Sequence, residues 1–136
     1  MRINRDRDLK ITVEASTTLR FRGERQDLEE MVGNVMDNAC KWAKSQILVK
    51  AVQLPPGSDD GRSWMLLTVD DDGPGIPATK RAEALKRGQR LDESKPGSGL
   101  GMSIISETAS MYGGMIELAD SEWQGLRFNL KLPSIA

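Results

Sequence analysis

The segment Leu126–Leu132 constrains the fold most. Leu126, Phe128, Leu130 and Leu132 point one way while Arg127, Asn129 and Lys131 point the other, which is the period-two alternation of a β-strand. Met115–Ala119 lies just upstream, so the chain closes as a hairpin. Nearer the start, Ile11–Ala15 and Thr18–Arg22 read as short strands and Gln46–Gln53 as a longer one. Trp64–Val69 is almost continuously apolar, as expected of a central strand covered on at least one face. Between Gln26 and Ala43 the apolar residues Leu28, Met31, Val32, Val35, Ala39 and Trp42 recur at helical spacing. Pro77 enters a short helix over Ala78–Arg87, and Gly99–Tyr112 forms the last helix, stopped by Gly113-Gly114. Pro55–Gly61 reads as a turn or loop, and the polar, aperiodic stretch Gly88–Ser98 as a mobile loop. The expected architecture is a two-layer α/β sandwich of about five mixed strands with three helices on one face, because the terminal strands are hairpin-connected.

With 136 residues the chain is expected to form a single domain over 1–136. Nineteen basic against twenty acidic residues leave a net charge of −1, which argues for neither nucleic acid nor direct membrane contact. There is no run of ~18 apolar residues and no charged-then-apolar leader, so nothing is expected to span a membrane or to be exported. The single cysteine, Cys40, cannot form an internal disulfide and reads as a small buried helix residue. The chain has no histidine. Imidazole catalysis and histidine metal sites within it are therefore excluded, and any phosphorylated histidine must come from another polypeptide or segment.

Three groups of residues carry chemistry. Glu30, Asn34, Asn38 and Lys41 are spaced by four, four and three, so on a helix they share a face that is not the apolar one. Asparagine is a mediocre helix former because its amide competes for backbone hydrogen bonds, and Gly33 costs a helix interior up to ~1 kcal/mol relative to alanine. Either this is a solvated polar face with Gly33 easing close packing, or neutral amide oxygens hold a hydrated Mg²⁺ beside phosphates. Carboxylates there would repel a triphosphate, whereas amides coordinate without adding charge. Next, the buried strand runs out into Asp70-Asp71-Asp72-Gly73-Pro74-Gly75-Ile76-Pro77. Here Gly73 and Gly75 free the backbone for a sharp turn and for close approach of a planar ligand. An aspartate at such a strand end can accept a hydrogen bond from an exocyclic amine such as adenine N6; an acidic, Asx-assisted turn is the alternative. A calcium loop fails, since Thr79 stands where it needs glutamate. Finally, Gly97, Gly99 and Gly101 open the last helix and expose amides as an anion cradle, at a spacing that fits neither a P-loop nor a Rossmann motif. Lys86, Arg87, Arg90 and Lys95 precede it, either as a solvated basic loop or as charge that closes over phosphates during transfer.

In this order the motifs resemble the N, G1 and G2 boxes of the GHKL superfamily. Asn34-Val-Met-Asp-Asn38-Ala-Cys-Lys41-Trp42 and Asp71-Asp-Gly73-Pro-Gly75-Ile76-Pro are most similar to sensor histidine kinases, and Arg87-Gly-Gln-Arg90 to the PhoQ-type subgroup. The resemblance runs from about Leu9 to the C-terminus. It implies a Bergerat-type α/β sandwich with an N box over 30–42, a G1 box over 71–77, an ATP lid over about 77–101 and a G2 box over 97–101. By position, Asn34 and Asn38 would coordinate Mg²⁺ and touch phosphates, and Lys41, Arg90 and Lys95 would contact the phosphate chain. Asp71 would fix the adenine amine, flanked by Gly73, Gly75 and Ile76, with Trp42 packing on the base. Gly97, Ser98, Gly99, Leu100 and Gly101 would wrap the phosphates. Glu30 matches the residue that acts on water in the ATPase branches and joins Lys41 and Arg90 as a candidate catalytic group.

The implied function is the ATP-binding catalytic domain of a two-component sensor histidine kinase. Such a domain transfers the γ-phosphate of Mg·ATP to a histidine on the dimerisation hairpin of the same kinase dimer, with a response regulator downstream. The hairpin is missing from the sequence. An excised, monomeric, cytoplasmic part of an inner-membrane sensor is therefore expected. The rival readings are a GHKL ATPase in which Glu30 activates water, an anti-sigma-type serine kinase and a non-catalytic nucleotide-sensing module.

Overall fold

The computed structural model describes residues 9–55, 62–84 and 98–135. Strand β1 (Lys10–Ala15) leads through a connecting segment into helix α1 (Arg25–Trp42), which returns the chain to β2 (Gln46–Gln53). Because α1 carries the chain back to its starting end, β1 and β2 pair in parallel, Lys10 opposite Gln46 and Ala15 opposite Ala51. Strand β3 (Ser63–Asp71) then pairs antiparallel with β2. A 3₁₀ turn at Ala78–Lys80 and a single α-turn, α2 (Arg81–Ala84), precede α3 (Ser98–Met111). The hairpin β4 (Met115–Asp120) and β5 (Leu126–Ser134) closes the chain, with β5 inserted between β3 and β4. The sheet is mixed and five-stranded, in the order β1-β2-β3-β5-β4.

Alternation decides which face the helices cover. Leu126, Phe128, Leu130 and Leu132 of β5 join Met65, Leu67 and Val69 of β3 and Ile47 and Val49 of β2 in one core. On the helix side Met31, Val35 and Ala39 of α1 and Met102, Ile105 and Ala109 of α3 complete it. The two long helices pack against each other and on this one face. The opposite face carries the other half of the β3 run, and this explains why the strand reads as almost wholly apolar. Trp64 lies there, 8 % exposed, with the Lys131 ammonium 4.9 Å and the Arg62 guanidinium 5.8 Å from its ring centroid. Cations over the ring face substitute for a second helical layer.

Two expected elements are revised. Thr18–Arg22 is not a strand: only Phe21 bridges Ser134, flanked by Arg22 N donating to Pro133 O and Ile135 N to Arg20 O. Leu19 and Phe21 pack on the core from an irregular segment, Phe21 edge-on to Tyr112 at 5.1 Å. The short middle helix is a 3₁₀ turn followed by α2, so among the described residues two helices, α1 and α3, back the sheet rather than three; residues 85–87 lie outside the described part. Cys40 is buried on α1 as expected. No helix among the described residues is long and apolar enough to cross a membrane.

Candidate nucleotide site

The polar face of α1 is not solvated where it matters. Asn38 is 4 % exposed, and its Nδ2 donates to the Asn34 carbonyl at 3.0 Å. Its Oδ1 is buried and has no hydrogen-bond partner among the described residues. Leaving such an acceptor unmade costs about 1–3 kcal/mol, in a helix that also carries Gly33. Close packing does not explain Gly33, since a Cβ added there meets nothing within 4 Å. Asn34 and Lys41 are half-buried on the same face, and Glu30, two turns before Asn38, is exposed. Lys41 also sits in the last turn, where the helix dipole favours a cation.

At the end of β3 consecutive carboxylates diverge because a strand turns each residue to the opposite side. Asp70 faces the open side of the sheet and accepts from Arg127 Nε at 2.7 Å, directly across the β3–β5 ladder. Asp71 faces the core side and is 1 % exposed. Its Oδ1 accepts from Gly73 N at 2.9 Å and Leu126 N at 3.2 Å, and Oδ2 takes part in neither bond. Burial pushes its carboxyl above the ordinary range, with the neighbouring Asp72 and Asp70 adding to the rise, against the two amide bonds. Asp72 turns toward the α1–β2 connection and accepts from Lys44 N (2.8 Å), Ser45 N (3.0 Å), Ser45 Oγ (2.7 Å) and Gln46 N (3.2 Å). Desolvation works against its ionised form, but these donors together hold it at about 2.

The glycines act through backbone contact. A Cβ on Gly73 would lie 2.3 Å from the Trp42 carbonyl oxygen, so this glycine lets the strand-end loop rest on the last turn of α1 rather than on a ligand. Gly75 has φ +74°, the left-handed turn that only glycine adopts cheaply, and packs on Gly125. The Gly125 backbone in turn lies against Asp71. These approaches enclose a cleft of about 290 Å³ lined by Trp42, Asp71, Pro74, Gly75, Ile76, Pro77, Lys80 and Leu126. A larger cleft of about 650 Å³, bordered by Arg22, Arg62, Tyr112 and Ser134, contains none of the expected site residues.

The structure thus brings Trp42, Asp71, Gly75 and Ile76 to one cleft, floored by the contact of Gly73 with α1. Ser98, Gly99, Leu100 and Gly101 form the first turn of α3, which takes in Ser98, one residue ahead of the expected start. Arg90, Lys95 and Gly97 lie outside the described residues, as do most of the expected lid and the stretch read as a mobile loop. Sequence reasoning missed Asp72, Lys80, Gly125 and Leu126. Only Gly125, a glycine immediately before an alternating strand, carried a signal.

A mixed five-stranded sheet backed by two helices, with a buried aspartate at the end of β3 and a buried asparagine on α1, matches a nucleotide-binding class. The family model described as "Histidine kinase-, DNA gyrase B-, and HSP90-like ATPase" matches residues 23–135, and the chain belongs to this family. It is 43 % identical over 125 residues to the sensor protein kinase CarS of Pseudomonas aeruginosa, covering 92 % of this chain and 26 % of that protein. It is 38 % identical over 122 residues to the virulence sensor histidine kinase PhoQ of Salmonella typhimurium, covering 90 % of this chain and 24 % of that protein. Among solved structures, a mycobacterial sensor histidine kinase, MprB, superposes with a TM-score of 0.78 at 31 % identity, over 93 % of this chain and 83 % of that one. The chain therefore spans about a quarter of the length of the curated relatives it matches.

Proposed function

We propose that this chain is the ATP-binding catalytic domain of a two-component sensor histidine kinase, passing the γ-phosphate of Mg·ATP to a histidine on a separate dimerisation hairpin. One observation carries the reading: Asp71 is buried, has one oxygen fixed by two backbone amides, and lines a cleft that also holds Trp42 and Ile76. A purine fits such a slot, its ring between apolar walls and its exocyclic amine donating to Asp71 Oδ2.

The phosphate chain then runs along the polar face of α1. Asn34 and Asn38 would hold Mg²⁺, and the Asn38 Oδ1, buried and without a partner among the described residues, is the kind of neutral oxygen donor this ion accepts. Among the described residues no three His, Cys, Asp or Glu side chains cluster to cage a metal. When bound, Mg²⁺ supplies charge neutralisation across the phosphate oxygens. Lys41, with Arg90 and Lys95, is assigned to the phosphate chain, and the first turn of α3 offers backbone amides to it. What the protein contributes is alignment and electrostatics, so that the incoming imidazole of the hairpin attacks the γ-phosphorus in line.

The domain works where ATP and a response regulator are available, so we assign it to the cytoplasmic portion of its parent kinase. The test is incubation of this chain with the histidine-bearing hairpin of its own kinase and γ-labelled ATP. Acid-labile label on the hairpin histidine is expected. Acid-stable label on serine would move the chain to the serine-kinase class. ATP hydrolysis without transfer, abolished by Glu30→Gln, would move it to the ATPase class.

A further inference from the structure

Arg81 belongs to none of the motifs, yet it ties two sides of the base cleft together. It opens α2, five residues after Ile76, and its Nε donates to the Ile76 carbonyl at 2.9 Å. Its Nη2 is ion-paired with Asp120 Oδ1 at the end of β4. The Arg81 side chain is 19 % exposed although its partner Asp120 is 84 % exposed, so the guanidinium is packed into the structure rather than held at its surface. Ile76, Pro77 and Lys80 form one wall of the cleft, and Leu126, opposite Asp120 in the β4–β5 ladder, contributes to another.

The chain from Ile76 to Arg81 is thus an arch whose two ends are joined by a side-chain-to-backbone bond. A second bond hangs the arch from the strand pair that supplies Leu126. A 3₁₀ turn and one α-turn have few internal hydrogen bonds with which to hold a position by themselves. A planar guanidinium suits this task because it donates in two fixed directions at once, which a lysine ammonium does not do with the same rigidity.

We propose that Arg81, through Ile76 and Asp120, is a positioning residue that sets the width of the slot for the nucleotide base and with it the preference for adenine. This rests on the nucleotide-site reading above. Arg81 touches neither the reacting phosphates nor the acceptor, so its removal acts on base recognition.

The test is calorimetric titration of wild type, Arg81→Ala and Arg81→Lys with Mg·ATP and with Mg·GTP, which share phosphates and differ in base. In Arg81→Ala, which removes both the bond to Ile76 and the ion pair with Asp120, the ATP affinity is expected to fall about five- to tenfold. GTP affinity is expected to stay within twofold, so that the ATP-to-GTP ratio collapses. Arg81→Lys, which keeps the charge and guards against loss of folding in the alanine variant, is expected to restore only part of the ratio. Asp120→Asn combined with Arg81→Ala is expected to add nothing further, since both act through one connection. An equal fall for both nucleotides, or an unchanged ratio in both Arg81 variants, overturns the proposal. Failure of the wild-type chain to bind ATP overturns the site itself, a result distinct from either.

Discussion

Two glycine-to-alanine substitutions should change stability in opposite directions. At Gly73 the added Cβ lies 2.3 Å from the carbonyl oxygen and 2.9 Å from the carbonyl carbon of Trp42. The φ of Gly73 is not positive, so the cost is purely steric. Relief requires about 1 Å of movement between two pieces of backbone before ordinary contact distances return, and neither side is free to give it. The Asp72 carboxylate binds the residues that follow Trp42, accepting from Lys44, Ser45 and Gln46. Gly73 N is itself bonded to Asp71. Overpacking of this kind costs about 1–3 kcal/mol, and loss of the Gly73–Asp71 bond adds about 0.5–1.5 kcal/mol. Gly33 lies inside α1 with nothing within 4 Å of where an alanine methyl would stand, so alanine there should stabilise by about 0.5–1 kcal/mol. Urea unfolding followed by tryptophan fluorescence reads both, and ATP titration should show weakened binding for Gly73→Ala alone. A Gly73→Ala variant as stable as wild type, or a shift of the same sign in both variants, would refute the close-approach argument.

Further outcomes follow from single side chains. Asn38→Ala should abolish Mg·ATP binding in calorimetry while leaving circular dichroism and Tm nearly unchanged, because the buried Oδ1, without a partner among the described residues, is lost together with the bond to Asn34. Asp72 has a folded-state pKa of about 2, below its ordinary 3.8, so its contribution is present above 3.8 and is lost as the pH falls through about 2. Acid unfolding of Asp72→Asn should accordingly be shallower over that window than in wild type. The Tyr112 hydroxyl accepts from Glu24 N at 3.1 Å and donates to Asp27, which raises its pKa above 10.0. This contribution is present below pH 10 and is lost as the pH rises past the raised value, so Tyr112→Phe should flatten the alkaline limb of the stability–pH curve.

Much of this fold was legible because its signals are periodic. The leucine–phenylalanine alternation of β5 put Leu126, Phe128, Leu130 and Leu132 in the core, the apolar stripe of α1 did the same for Met31, Val35 and Ala39, and Trp64–Val69 announced the central strand. Periodicity failed over Thr18–Arg22, where alternating Leu19 and Phe21 serve an irregular segment that touches β5 at one bridge. After Pro77 the chain takes a 3₁₀ turn before one α-turn, a distinction that a proline at the helix entry does not make. Strand order was not encoded locally: the parallel β1–β2 pairing is a consequence of the length of α1. Of the polar residues singled out by type and spacing, Asp71 and Asn38 are buried in the fold, where a carboxylate or an amide is costly without a partner. The supporting residues were hidden. The partners of Asp72, Arg81 and Gly125 lie 27, 39 and 54 positions away in the chain, and their roles exist only once the loops are brought together.

The most direct test is a crystal structure of this chain with Mg²⁺ and a non-hydrolysable ATP analogue. Adenine N6 should lie within hydrogen-bond reach of Asp71 Oδ2, with the ring beside Trp42, and the ion should contact Asn38 Oδ1. An analogue seated in the cleft between Arg22 and Arg62, or an Asn38 Oδ1 still without a partner when nucleotide is bound, would contradict the account.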